Sequence, residues 1–334
     1  MKSGFGLFSP APRPDYSACS GCSLCLLVCP VWRKTHDLTL TPHARAKALQ
    51  HGARSTDIAA SVESCTLCGA CEPACPEEID LVGMMIALRR QLPRSPALQA
   101  VHDRMDGAAA RPLAQPASNR SFLPDAALNK RRETLARVAA LLGSAVAADD
   151  GADIALALET GAAVPAPRLE RFLAPLRAMK TIVVADGLLL RHLRGWLPRT
   201  KIAGLGATLS RLPAVQRGLR TTDLYVIEPR AYHADHARLV RHYDRLRVET
   251  GCAMNLDLQR IAIPVTARNL QQRLGLEPPD DSAQARWILH RRKIQRIVVE
   301  SVEDITAFEQ VCDWPVVHLA DLADDGKMIA GVES

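Results

Sequence analysis

The chain has 334 residues, 48% hydrophobic and 23% charged, with ten cysteines and a formal net charge of +6. This is a globular composition, and the length suits one small and one medium domain. No apolar run approaches the ~20 residues of a membrane-crossing helix, and Met1-Lys2-Ser3-Gly4-Phe5 lacks the apolar stretch of a signal peptide, so a cytoplasmic location is expected. Aromatics make up only 4%, which leaves the core to Leu, Val, Ile and Ala.

Residues 1–15 carry Pro10, Pro12 and Pro14 and read as an extended arm. Residues 16–92 hold two matching runs, Cys19-x2-Cys22-x2-Cys25-x3-Cys29-Pro30 and Cys65-x2-Cys68-x2-Cys71-x3-Cys75-Pro76. This is the spacing of bacterial ferredoxins that carry 4Fe–4S cubanes. Three cysteines at two-residue intervals wrap one cubane, and the fourth serves the other cluster. The expected ligand sets are Cys19, Cys22, Cys25 and Cys75 for one cluster and Cys65, Cys68, Cys71 and Cys29 for the other. The prolines after the fourth cysteines turn the chain away. Structural zinc takes four ligands in CxxC pairs, and disulfide frameworks suit short secreted chains, so neither fits eight cysteines in two identical runs. Leu24, Leu26, Leu27, Val28, Leu67 and Ala70 are expected to cover the clusters, with backbone N–H groups near Gly21 and Gly69 within reach of sulfur. Eight thiolates and two oxidised cores lower the net charge to about +2. The formal basicity is therefore no argument for nucleic acid, and no aromatic-interleaved basic patch accompanies it.

Between the runs, Pro42 opens a helical stretch that Gly52 closes, and Ser55-Thr56-Asp57 reads as the cap of a short helix to about Glu63. After Cys75, Pro76-Glu77-Glu78-Ile79-Asp80 begins another helix. Its apolar face is Ile79, Val82, Met85, Ile86 and Leu88, with Arg89 and Arg90 in the last turn and Pro93 as the stop. Residues 93–130, rich in Pro, Ala, Ser and Gln, read as an irregular linker with a short helix near 97–106.

Residues 131–334 alternate apolar runs with helical stretches, which predicts an α/β domain with a largely parallel sheet. The expected strands are Ile154–Leu158, Thr181–Ala185, Lys201–Leu205, Leu224–Glu228, Arg260–Val265, Arg296–Glu300 and Val316–Leu319. The expected helices span 131–147, 166–179, 187–194, 210–219, 232–249, 282–293 and 303–311. The fold class is α+β overall, a helical dicluster ferredoxin domain followed by that α/β domain.

With its cysteine runs, helical spacer and the segment His36-Asp37-Leu38…Thr41-Pro42-His43-Ala44-Arg45-Ala46, the N-terminal part resembles known iron–sulfur subunits. These belong to the glycolate oxidase, anaerobic glycerol-3-phosphate dehydrogenase and heterodisulfide reductase type. The resemblance implies two following α/β repeats with Cys-Cys-Gly motifs. Thr181–Gly187, Arg296–Ser301 and Val316–Leu322 fall where that plan has its strands, yet no Cys-Cys-Gly occurs. The implied C-terminal region is a degenerate cysteine-rich domain that keeps the fold without the extra metal centre. The implied function is electron transfer from a flavoprotein dehydrogenase toward quinone. The chain has no membrane span of its own, and a membrane quinone-reducing partner would hold it at the inner membrane face. Two other readings stand beside this one. One is a heterodisulfide-reductase-like enzyme subunit with a substrate site in the C-terminal domain. The other is an assembly or interaction protein with structural clusters.

Other candidates are weighed against blander readings. Cys252 and Cys312 could hold a metal with histidine help, but such cysteines are more often small buried hydrophobes. His233, His236 and His242 share an expected helix without an HExxH pattern, and a charged solvated face is the simpler account. Gly204-Leu205-Gly206 follows a strand, but Leu209 occupies the third glycine position of a dinucleotide fingerprint. The basic stretches Arg191–Lys201 and Arg291–Lys293 suit an acidic partner or plain surface.

Overall fold

The computed structural model describes residues 15–109, 119–258, 260–266 and 268–323. Most of the expected N-terminal arm lies outside these residues.

From Tyr16 to Ala109 the described chain is helical. Short helices Leu24–Leu27 and Pro30–Thr35 follow the first cysteines, and longer ones span Pro42–Gln50, Ala59–Ser64 and Leu81–Gln91. Thr41 caps the first long helix by accepting from the Ala44 N–H. The expected cap at Ser55–Asp57 is corrected: the helix begins at Ala59 without a side-chain cap, while Asp57 accepts from the Arg54 N–H. The acids after Cys75 also precede their helix, and Asp80 caps it through the Gly83 N–H.

In the expected linker the short helix expected near 97–106 is Pro96–Ala109. The irregular remainder is corrected at its end, where strand β1 (Arg120–Leu123) lies inside a sheet. The other strands of that sheet are β2 (Ala145–Val146), β3 (Thr181–Val184) and β4 (Lys201–Gly204), in the order β2-β1-β3-β4. All pairs are parallel, with Phe122 opposite Val183 and Val183 opposite Ala203. A second parallel sheet contains β5 (Asp223–Val226), β6 (Ala253–Met254), β9 (Arg296–Val299) and β10 (Val316–His318), in the order β10-β9-β5-β6. Between them in sequence, β7 (Leu256–Asp257) and β8 (Ile261–Ala262) pair antiparallel. With that hairpin set aside as an insertion, the two sheets share one strand order: second, first, third, fourth. The chain thus carries two α/β units of the same topology. β3 and β9 are buried β-branched runs, as parallel strands covered on both faces require.

Ile154–Leu158 is not a strand but the middle of a helix, Ala152–Thr160. Gly151 and Gly161 bracket it in the left-handed conformation, and a short buried apolar run does not reveal its period. Of the stretch 210–219 only Pro213–Arg217 is helical, a separate short helix Leu205–Leu209 precedes it, and 232–249 becomes two helices, Pro229–His233 and His236–Thr250. Of Arg260–Val265, only Ile261–Ala262 is strand.

One apolar core runs through Leu67, Val82, Met85 and Ile86 of the cysteine region into Leu158, Phe172, Ile182 and Leu188 of the first α/β unit. The contact is close: a Cβ on Gly161 would lie 2.5 Å from the Arg89 Cβ. Among the described residues, no helix is long and apolar enough to cross a membrane.

Candidate metal centres

Both cysteine runs form the same loop. In each, the residues just before and just after the second cysteine have positive φ: Gly21 (85°) and Ser23 (65°), then Leu67 (53°) and Gly69 (76°). Such turns curl backbone N–H groups into a concavity. Cys29 caps the helix Pro30–Thr35, with Pro30 in its first turn, where a missing N–H costs nothing.

Two cavities lie against these loops. One is ringed by Cys19, Cys22, Cys25 and Cys75, with Ala46, Ile79 and Leu81 in its wall. The other is ringed by Cys65, Cys68, Cys71 and Cys29, with Leu67, Ala70, Val82 and Met85. Each cavity takes three cysteines from one run and the fourth from the other. Among the described residues, no three His, Cys, Asp or Glu side chains converge on a single-ion position. The thiols encircle a space, as ligands to the separate irons of a cubane would.

Burial, helped by the neighbouring thiols Cys29, Cys19, Cys22 and Cys75, pushes Cys25 up to about 12. Burial likewise pushes Cys68 up to about 12 and raises Cys29 and Cys71. Thiols so crowded and desolvated ionise only against a bound positive centre. The Arg45 side chain lines the second cavity, its Nε is buried without a hydrogen-bond partner, and its charge favours the Cys29 thiolate. Soft sulfur donors, apolar walls and a buried cation fit an iron–sulfur cluster.

The loops differ in what holds them. In the first, the Cys19 carbonyl accepts from Lys47 Nζ (3.1 Å) and Gln50 Nε2 (3.0 Å), both on the helix Pro42–Gln50. Cys22 is exposed, and Leu24 and Leu27 are 39% and 54% exposed, so they face outward instead of covering the site as expected. Val28, Leu67 and Ala70 are buried as expected. In the second loop, Arg89 donates to the Cys65 carbonyl, Arg230 to the Thr66 carbonyl (3.0 Å), and His233 Nδ1 to the Cys68 carbonyl (2.7 Å). The His233 Nε2 accepts from the Ala262 N–H at 3.2 Å. An obligate acceptor on one nitrogen and an obligate donor on the other select the neutral Nδ1–H tautomer. Burial lowers the pKa of this imidazole to about 4, in keeping with that form.

Residues 15–79 match the family model of a 4Fe-4S dicluster domain. The chain is an iron–sulfur protein. No curated protein and no solved structure matches it.

The remaining candidates are dispersed. His236 packs edge-on to Tyr232, and His242 bonds Ser210 at 2.8 Å. Cys252 is 1% exposed beside the Thr250 hydroxyl, a small buried side chain, and the Cys312 thiol donates to the Phe308 carbonyl. The anchors Arg45, Arg89, Arg230 and His233 were not legible as such. Their partners lie as far as 165 positions away, and only the lone arginine in the alanine-rich segment His43–Ala48 marks one of them.

Proposed function

We propose that the chain is an electron-transfer subunit that relays electrons through two 4Fe–4S clusters, between a flavoprotein dehydrogenase and a downstream acceptor such as quinone. Cys19, Cys22, Cys25 and Cys75 would hold one cluster, and Cys65, Cys68, Cys71 and Cys29 the other. The observation that carries this reading is the crossed composition of the two cysteine-ringed cavities. Each cubane, when bound, supplies a site for one electron at a time.

The surrounding residues have separate tasks. Val28, Leu67 and Ala70 keep water from the second site. Arg45 and Arg89, 2% exposed each, place fixed positive charge beside it and offset the negative charge of four thiolates. Around Cys22, the outward Leu24 and Leu27 offer a partner an apolar contact close to the first site. The two α/β units of equal strand order support a relation to the glycolate oxidase and heterodisulfide reductase type of subunit, with a degenerate cysteine-rich region after a dicluster domain. In that plan the dicluster domain ends near residue 92, and the α/β region includes β1.

The test is anaerobic affinity purification of the tagged chain, with iron and sulfide analysis and an optical redox titration. About eight irons per chain, reversible bleaching and a co-purifying flavoprotein are expected. About four irons or fewer in an anaerobic preparation would overturn the ligand assignment.

A further inference from the structure

Behind the second cysteine loop lies a cavity of ≈ 430 Å³ that the relay does not use. Its volume falls in the range of small-molecule sites, roughly 300–1,000 Å³. Its position follows from topology. In parallel α/β sheets, ligands bind beyond the carboxyl ends of the strands, where successive connections leave in opposite directions. In the first sheet that point lies between β1 and β3, and in the second between β5 and β9. Residues that follow all four strands line this one cavity. Each strand contributes a carboxyl: Asp125 after β1, Asp186 after β3, Glu228 after β5 and Asp304 after β9. The two units meet tightly here, since a Cβ on Gly187 would lie 2.5 Å from Glu228 Oε2.

The charges of the wall do not balance. Its three arginines are already engaged: Arg230 with Glu159, Arg273 with Glu159 (3.0 Å) and Glu303 (3.5 Å), and Arg268 with Asp281 (3.0 Å). Among the described residues, none of the four strand-end carboxyls has an ion-pair partner. Asp125 and Asp186 accept from the N–H groups of Leu128 and Leu189 (2.7 Å each), Glu228 from those of Arg230 (3.0 Å) and Ala231 (2.6 Å), and Asp304 from the Thr266 hydroxyl (3.0 Å). Burial raises all four carboxyls above their ordinary range, at Asp186 and Glu228 against the pull of the Arg230 charge, so a cation placed beside them would favour their ionised forms. The carboxyls are spread round the wall and do not converge on a single-ion position, so a bare metal ion does not match them.

We propose that this cavity binds a small organic ammonium compound, with its cationic groups on the carboxyls at the ends of β1, β3, β5 and β9. Thr66 and Cys68 of the second cysteine loop belong to the same wall. An occupant would therefore rest against that loop and not against the first.

The test is isothermal titration of the anaerobically purified, iron-loaded protein with 1,4-diaminobutane. Parallel titrations with 1,4-butanediol, succinate and Mn²⁺ test the charge and its source. Saturable one-to-one binding of the diamine is expected, with none of the diol or the diacid. Glu228→Gln and Asp304→Asn should each weaken it at least about tenfold while iron content stays at the wild-type value. Glu133→Gln, at an exposed position of the helix Arg132–Leu142, should leave it unchanged. Three results would overturn the assignment: no saturable diamine binding, equal binding of the diol, or tighter Mn²⁺ binding that expels the diamine. Heat of binding is read without reference to the clusters, and iron is counted on the same sample, so failure here is distinct from failure of the relay reading.

Discussion

The two cysteine loops have the same spacing and left-handed residues at the same two places, yet they sit in different surroundings. The first hangs on one helix of its own region through Lys47 and Gln50 and leaves Cys22 at the surface. The second is clamped by Arg89, Arg230 and His233, two of which come from the second α/β unit, and its Leu67 belongs to the apolar core shared with the first α/β unit. Local spacing thus determines the shape of a ligand loop, while distant residues determine its burial, charge and rigidity. For a relay, that contrast separates a surface-facing site from an interior one.

Substitutions in the two loops should expose this difference. Cys22→Ser and Cys68→Ser should each remove about four irons per chain. Only Cys68→Ser should also lower the melting temperature strongly, because its cavity opens into the core; iron analysis beside thermal melts checks both. Equal melts would mean that the second loop is no more integral than the first. Next in size is Arg89→Ala, which strips donors from the buried carbonyls of Cys65 and Glu159. A loss of about 2–4 kcal/mol is expected in urea unfolding, against about 1 kcal/mol or less for Lys47→Ala at the open loop.

The pH response should likewise come from behind the second loop. Burial holds Glu228 at about 8 and Asp304 at about 7 in the folded chain, above the ordinary 4.5 and 3.8. The folded state therefore binds more protons than the unfolded one, and stability falls as pH rises from about 3.8 to about 8. Glu228→Gln should flatten the upper part of that decline, as urea midpoints across this window will show. The smallest contrast is between the glycines. Gly21→Ala and Gly69→Ala both force a side chain into left-handed backbone, at about 1 kcal/mol. The Gly69 methyl would also meet the His233 Cβ at 3.2 Å, fixed close to its backbone, where the nearest atom to the Gly21 methyl is Lys47 Cε at 3.0 Å, at the flexible end of its side chain. Gly69→Ala should therefore be the more destabilising of the pair in the same unfolding assay.

Much of this was legible from residues alone where the signal is local. The cysteine spacing announces an iron–sulfur domain, and β3, β4, β5, β9 and β10 stand out as β-branched or apolar runs between helices. What escaped was short or set by distant partners. β1 is four residues at the end of a proline-rich stretch, and β2 and β6 are two residues each, too brief to show a period. The helix Ala152–Thr160 is buried around most of its circumference and so lacks the polar stripe that marks an amphipathic helix. For His233 the sequence offers only a metal ligand or a solvated helix face, because nothing near it in sequence points to the Cys68 carbonyl.

The crossed make-up of the cavities has a consequence for biogenesis. A nascent chain that displays only the first cysteine run holds three of the four cysteines of the first cavity, and the missing one arrives with residue 75. The second cavity gains its last cysteine at residue 71, but its loop is fastened only when residues 230 and 233 have been made and folded. The outer site can therefore mature once residue 75 has left the ribosome, whereas the inner one must wait for residue 233, more than 150 positions later.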